Sequence, residues 1–264
     1  MAGHDRTEEN FGDPLRDTAA GGRAHFGFRE VEEGAKAGLV REVFDTVAGR
    51  YDLMNDLMSG GVHRLWKSAL IDMLRPRPEM HLLDVAGGTG DIARRFLDAG
   101  GGQVTVCDIN ESMLRVGRDR AIDRGALGAI DWLVADAEAL PFADSSVGAY
   151  TIAFGLRNVT HIERALAEAR RVLRPGGRFL CLEFSHVSAP WFQAIYDRYS
   201  FSVLPALGAV VAGDRDAYRY LVESIRRFPP QDRLAELMAG VGLDLVSYRN
   251  LTGGVAAIHS AWRI

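Results

Sequence analysis

Cysteine is almost missing from this chain of 264 residues: Cys107 and Cys181 are the only two, each inside an apolar run. No CxxC pair and no Cys/His ligand spacing occurs, so no metal site is expected, and both thiols read as reduced core residues. Long apolar runs are missing too. The longest covers residues 201–212, only 12 positions, broken by Pro205 and Gly208; a bilayer span needs roughly 20. A basic surplus is absent, since the formal net charge is −4. That weighs against a general nucleic-acid binder. The N-terminus (MAGHDRTEENFGDP) has neither the apolar core of a signal peptide nor the acid-poor character of a mitochondrial presequence. A cytoplasmic protein is expected, in contact at most with a membrane surface. No internal repeat is present.

What remains is the composition of an ordinary globular chain, 47% apolar and 25% charged. Residues 1–22 read as a disordered tail. From Leu39 onward Val40, Val43, Phe44 and Val47 fall on one helical face, and a second helix is expected over 62–74, ended by Pro76 and Pro78. Strands and helices then alternate. Strands are expected over 81–86, 104–107, 130–134, 147–154 and 178–184, with a helix over 91–97 and one capped by Asn110. Thr160-His161-Ile162-Glu163 reads as a capping box opening another helix, which Pro175-Gly176-Gly177 stops. Two late strands are expected over 243–248 and 255–262. This order implies an α/β, doubly wound, mostly parallel sheet, with its ligand beyond the carboxyl ends of the strands.

The turn Leu82-Leu83-Asp84-Val85-Ala86-Gly87-Gly88-Thr89-Gly90-Asp91 decides which ligand. A phosphate-cradling loop needs a lysine after the last glycine, and Asp91 stands there. A dinucleotide competes: Gly88 to Ala93 fits GxGxxA, and Asp108 ends the next strand. Against it, Asp84 would repel a pyrophosphate but suits a ligand carrying an ammonium and a sulfonium. Asp136, followed by Ala137, can accept a hydrogen bond from an adenine amino group, and a backbone N–H there can donate to the ring. Leu140 and Phe142 offer apolar packing.

With Leu173-Arg174-Pro175-Gly176-Gly177 before the fifth strand, these features resemble the class I S-adenosylmethionine-dependent methyltransferases. The flanking motifs are more specific. Arg50-Tyr51-Asp52-Leu53-Met54-Asn55, His63-Arg64-Leu65-Trp66-Lys67, Phe154-Gly155-Leu156-Arg157-Asn158-Val159 and Leu182-Glu183-Phe184-Ser185 resemble the C-methyltransferases of ubiquinone and menaquinone biosynthesis. The resemblance runs from about residue 25 to the C-terminus.

It implies a seven-stranded sheet with a helical cap over 23–78, a cofactor-binding half over 79–188, and lid helices with the last strands over 189–264. It implies S-adenosylmethionine as cofactor, held by Tyr51, Asp84, Gly88, Thr89, Gly90, Asp108, Asp136 and Ala137, with Asp108 on the ribose hydroxyls. Two departures stand out: Ala86 where many members have glycine, and Ala153 where some carry serine. The substrate implied is a polyprenylated quinol, a benzoquinol or a naphthoquinol. Arg157 and Asn158 are the candidates near its ring, Arg157 for phenolate charge, with His63 as a proton acceptor. The run from Trp191 to Val211 is a candidate lid for the prenyl tail. Peripheral contact at the inner face of the cell membrane, a homodimer and association with other quinone-biosynthesis enzymes are compatible with it. Two other readings compete: an NAD-dependent reductase, and a non-catalytic scaffold for a quinone-biosynthesis complex.

Overall fold

Apolar runs of strand length, separated by amphipathic helices, fold here into one sheet covered on both faces. The computed structural model describes residues 22–47, 56, 59–125, 128–187 and 215–264. The sheet contains β3 (His81–Val85), β4 (Gln103–Asp108), β5 (Ile130–Val134), β6 (Val147–Ala153), β7 (Leu173–Phe184), β8 (Asp244–Leu251) and β9 (Ala256–Arg263). Its spatial order is β5-β4-β3-β6-β7-β9-β8. Parallel ladders join β5 through β7, and β9 runs antiparallel to both of its neighbours. The last segment is therefore part of the same sheet as β3 to β7.

Alternation along the strands divides the core. Leu82, Val104, Val106 and Leu180 bury one way, Leu83, Val85, Cys107 and Cys181 the other. The first face is covered by α2 (His63–Leu74), α3 (Asp91–Asp98), α4 (Glu111–Asp123) and α6 (Arg215–Arg227). On the second face lie α5 (Ile162–Val172) and α7 (Gln231–Gly240). In α3 the stripe Ile92, Ala93, Phe96 turns inward, and full burial of Phe96 alone contributes roughly 1.5–3 kcal/mol. Both cysteines are free and buried, and burial pushes the Cys107 thiol up to about 12.

Three details differ from expectation. A hairpin, β1 (Arg23–Phe26) with β2 (Arg29–Glu32), precedes α1 (Glu33–Val47) in the cap that was expected to be helical. Its two-residue turn is Gly27-Phe28, with Gly27 at φ 59°. The capping box at Thr160 does not form. His161 is the N-cap of α5 without a side-chain bond, and Glu138 accepts from the backbone N–H groups of Thr160 (2.7 Å) and His161 (2.8 Å) instead. Strand β7 starts earlier than expected: Leu173 pairs with Val147, the register slips across Pro175-Gly176-Gly177, and the ladder resumes at Arg178. No helix among the described residues is long and apolar enough to cross a membrane.

Candidate active site

The strand order reverses between β3 and β6, and loops after β3, β4, β5 and β6 meet there around one crevice. The first loop is built on left-handed backbone at Ala86 (φ 51°), Gly88 (φ 55°) and Gly90 (φ 75°). Gly88 leaves its N–H free to donate to Asp108 Oδ2 at 2.8 Å. A Cβ at Gly90 would lie 2.7 Å from the Trp132 ring, so only glycine fits that bend. The Ala86 side chain finds room because Gly155 faces it. A Cβ on Gly155 would come within 2.3 Å of the Ala86 Cβ. The glycine missing at 86 is thus matched by one at 155.

Asp108 ends β4 and lines the crevice. Its Oδ1 accepts from the Asn110 N–H at 2.8 Å. Burial pushes its carboxyl up to about 6, opposed by the hydrogen bonds from Asn110 and Gly88. Each carboxylate oxygen keeps a further lone pair for a ligand hydroxyl. Asn110 caps α4 by accepting from Met113 N–H at 2.9 Å, as its sequence position implies. Its amide also donates to Asp45 Oδ1 at 3.0 Å, which fastens α1 to the crevice rim. Val40, Arg41 and Phe44 of α1 form that rim.

Asp84 is fully buried inside β3. Thr151 Oγ1 donates to its Oδ1 at 2.8 Å, while Oδ2 has no hydrogen-bond partner among the described residues. Burial raises its carboxyl to about 7, and the nearby carboxylates of Asp108 and Asp91 add to the rise. That oxygen lies directly behind the glycine turn, where a Cβ at Gly87 would come within 2.8 Å of it.

Beyond β5, Asp136, Ala137 and Glu138 line the same crevice. Asp136 Oδ1 accepts from the Glu138 N–H at 2.9 Å, which shapes the loop. Glu138 holds His161 Nδ1 at 2.8 Å, and His161 Nε2 reaches Glu33 of α1 at 2.9 Å. This chain of three side chains ties α1 to the loops after β5 and β6. Nothing local in the sequence marks it.

After β6, Phe154 (φ 58°) leads into a single 3-10 turn, Leu156–Asn158. Asn158 lines the crevice and its Oδ1 accepts from Tyr220 of α6 at 3.0 Å. Arg157 is placed differently from the sequence expectation. Its guanidinium turns inward to Glu183 Oε2 at 2.9 Å and also donates to the Phe154 carbonyl. Both side chains of that pair are 1% exposed. The carboxylate partner was legible as the one acid in the apolar strand Arg178-Phe179-Leu180-Cys181-Leu182-Glu183-Phe184; Tyr220 had no such signal.

His63 also lies elsewhere. It bonds Asp56 at 2.9 Å and lines an arginine-bordered cleft with Thr89 and Gly90, on the outer side of the glycine turn. Burial, and then the neighbouring Lys67 charge, lower its pKa. Trp66 is a core residue, edge-on to Phe184 at 5.8 Å and bonded to Thr252. Tyr51 and the candidate lid from Trp191 to Val211 fall outside the described residues. The crevice therefore gathers Gly88, Asp108, Asp136, Ala137 and Asn158, with Asp84 buried immediately behind the turn.

A six-parallel, one-antiparallel sheet with a glycine turn at its switch point and an acid ending the second strand of that unit defines a class I methyltransferase fold. Solved structures agree at low identity. The [4+2]-cyclase SpnF is similar with TM-score 0.65 at 18% identity, covering 86% of this chain and 96% of that one. A SAM dependent methyltransferase from Aquifex aeolicus is similar with TM-score 0.56 at 15% identity, covering 75% and 89%. Closer likeness lies in sequence. The chain belongs to the ubiE/COQ5 methyltransferase family, whose model matches residues 30–263. A ubiquinone/menaquinone biosynthesis C-methyltransferase of Paracoccus denitrificans is 61% identical over 91% of this chain and 96% of its own length. One from Methylobacterium nodulans is 63% identical over 90% and 96%, and one from Brucella abortus 56% over 93% of each.

Proposed function

We propose that this chain transfers a methyl group from S-adenosylmethionine to a ring carbon of a polyprenylated quinol in ubiquinone or menaquinone biosynthesis. One observation carries the reaction: relatives 56–63% identical over nine-tenths of the chain are named as C-methyltransferases of ubiquinone/menaquinone biosynthesis. The crevice fits the cofactor independently. The buried, unpartnered Asp84 Oδ2 suits its ammonium, and the glycine turn admits the methionine part close to backbone. Asp108 would hold the ribose hydroxyls, and Asp136 and Ala137 the adenine. A dinucleotide fits less well, because Asp84 would sit behind its pyrophosphate.

Bound S-adenosylmethionine supplies an electrophilic methyl group. The residues of this chain orient the acceptor and hold its charge. Asn158 lines the crevice and is fixed at Oδ1 by Tyr220, so its amide N–H groups would serve as donors to a ring oxygen. Such donors stabilise the phenolate that makes the adjacent carbon nucleophilic. Arg157 acts as a positioning residue, holding the Phe154 carbonyl and Glu183 and so fixing the loop that carries Asn158. An arginine is not a base at neutral pH, since its pKa lies above about 12. The prenyl tail of such a substrate places the protein peripherally at a membrane surface.

The test is radiolabelled methyl transfer to matched reduced benzoquinol and naphthoquinol analogues, with oxidised forms as controls. Label should enter at least one reduced form and neither quinone, since only the hydroquinone ring is electron-rich. Labelling of the quinones, or of neither quinol, would contradict the reading.

A further inference from the structure

We infer that a second cavity, of about 360 Å³ and separate from the methyl-transfer crevice, is a binding site for a small organic carboxylate. It lies between the β1–β2 hairpin, α1, the Val159–Arg164 segment and the end of α6. It does not depend on the reaction proposed above.

Two side chains, Lys36 and Arg227, bring cationic charge to it and are paired with no carboxylate among the described residues. Lys36 is 7% exposed, and its Nζ donates to the Val159 carbonyl at 2.7 Å, its one acceptor among the described residues. An ammonium has three N–H donors, so two remain. Arg227, half-buried at the end of α6, has no carboxylate partner among the described residues. Arg157 also borders the cavity, but its guanidinium is engaged by Glu183 and the Phe154 carbonyl. Burial lowers Lys36 to about 8; Glu138 opposes the fall and Arg227 adds to it.

Two carboxylates also line the cavity. Glu33 is bonded to His161 Nε2 at 2.9 Å, and Glu163 is exposed at the mouth. Neither is paired with Lys36 or Arg227. Buried charge is costly unless it is compensated, and guanidinium and ammonium donors match a carboxylate. Val159, Ile162 and Phe228 put an apolar surface beside these donors, and Thr160 and Ser224 a polar one. The apolar surface favours a carboxylate on an apolar body over a bare inorganic ion. The crevice and this cavity share Val159 and Thr160 as a common wall, yet their charged ends differ, so both can be filled together.

Calorimetry on the full chain tests this with benzoate as probe, and with benzyl alcohol and inorganic phosphate as comparisons, each with and without saturating S-adenosylhomocysteine. Benzoate should bind one per chain in both conditions, more tightly than phosphate, and benzyl alcohol should not bind. Lys36→Met and Arg227→Gln should each weaken benzoate by about tenfold or more, with S-adenosylhomocysteine affinity retained in Arg227→Gln. Should Lys36→Met fail to fold by circular dichroism, Arg227→Gln decides alone. The inference is overturned if benzoate does not bind, is displaced by S-adenosylhomocysteine, binds no better than phosphate, or binds Arg227→Gln as well as the parent. Because benzoate binding is read without methyl transfer, failure here leaves the proposed reaction standing, and the reverse holds too.

Discussion

Asp84 concentrates the electrostatics of the crevice at a single residue. Its carboxyl is raised from 3.8 to about 7, chiefly by burial. The folded state therefore holds its proton more tightly than the unfolded chain. This group's contribution to stability is fully present below pH 3.8 and is lost as pH rises through about 7. A bound cation reverses that loss. Asp84→Asn should raise the melting temperature of the ligand-free protein at pH 8 and flatten its fall with pH. The same change should weaken S-adenosylmethionine by about tenfold or more. Thermal melts against pH, with calorimetry, check both; an unchanged affinity would remove Asp84 from the cation site. The acids at 84, 108 and 136 were legible because each stands within, ends or follows an apolar strand. Ala86 was not. Its side chain is accommodated by Gly155, a long-range pairing that no local pattern displays. Gly155→Ala should cost about 1–3 kcal/mol by overpacking, and adding Ala86→Gly should recover much of it. Additive losses in denaturant melts would show that the two do not share space.

Elements join at the buried pair of Arg157 and Glu183, where the loop after β6 meets β7. Removing one partner of such a pair costs roughly 3–5 kcal/mol, because the other charge is left buried and alone. Arg157→Ala should accordingly unfold at markedly lower denaturant. The double variant Arg157→Met with Glu183→Leu removes both charges and should recover most of the stability. If Arg157 only positions the loop, the double variant should also recover much of the turnover; a stable double variant without turnover would give the guanidinium a direct part. At this scale the sheet was largely readable, since strands buried on both faces appear as continuous apolar runs. The hairpin at residues 23–32 was missed because four-residue strands carry too little alternation. The start of α5 was misread because Glu138, far away in sequence, supplies the acceptor that Thr160 and Glu163 were expected to provide. The link from α1 through Glu33, His161 and Glu138 is of the same kind: it exists only once the chain has folded.

On the scale of the whole molecule, one continuous sheet carries the crevice at its switch point, and the cap helix α1 closes over it. The fold alone would not name a reaction, since a cyclase shares it at TM-score 0.65. Membership of the ubiE/COQ5 methyltransferase family narrows the choice, and the acids around the crevice agree with it. What distinguishes the proposed chemistry is the atom that receives the methyl group. Carbon-13 NMR of the product formed from methyl-labelled S-adenosylmethionine and a reduced prenyl quinol reads that atom directly. A signal from a methyl bonded to ring carbon is predicted; a methoxy signal, or no labelled product from any quinol, would contradict the account.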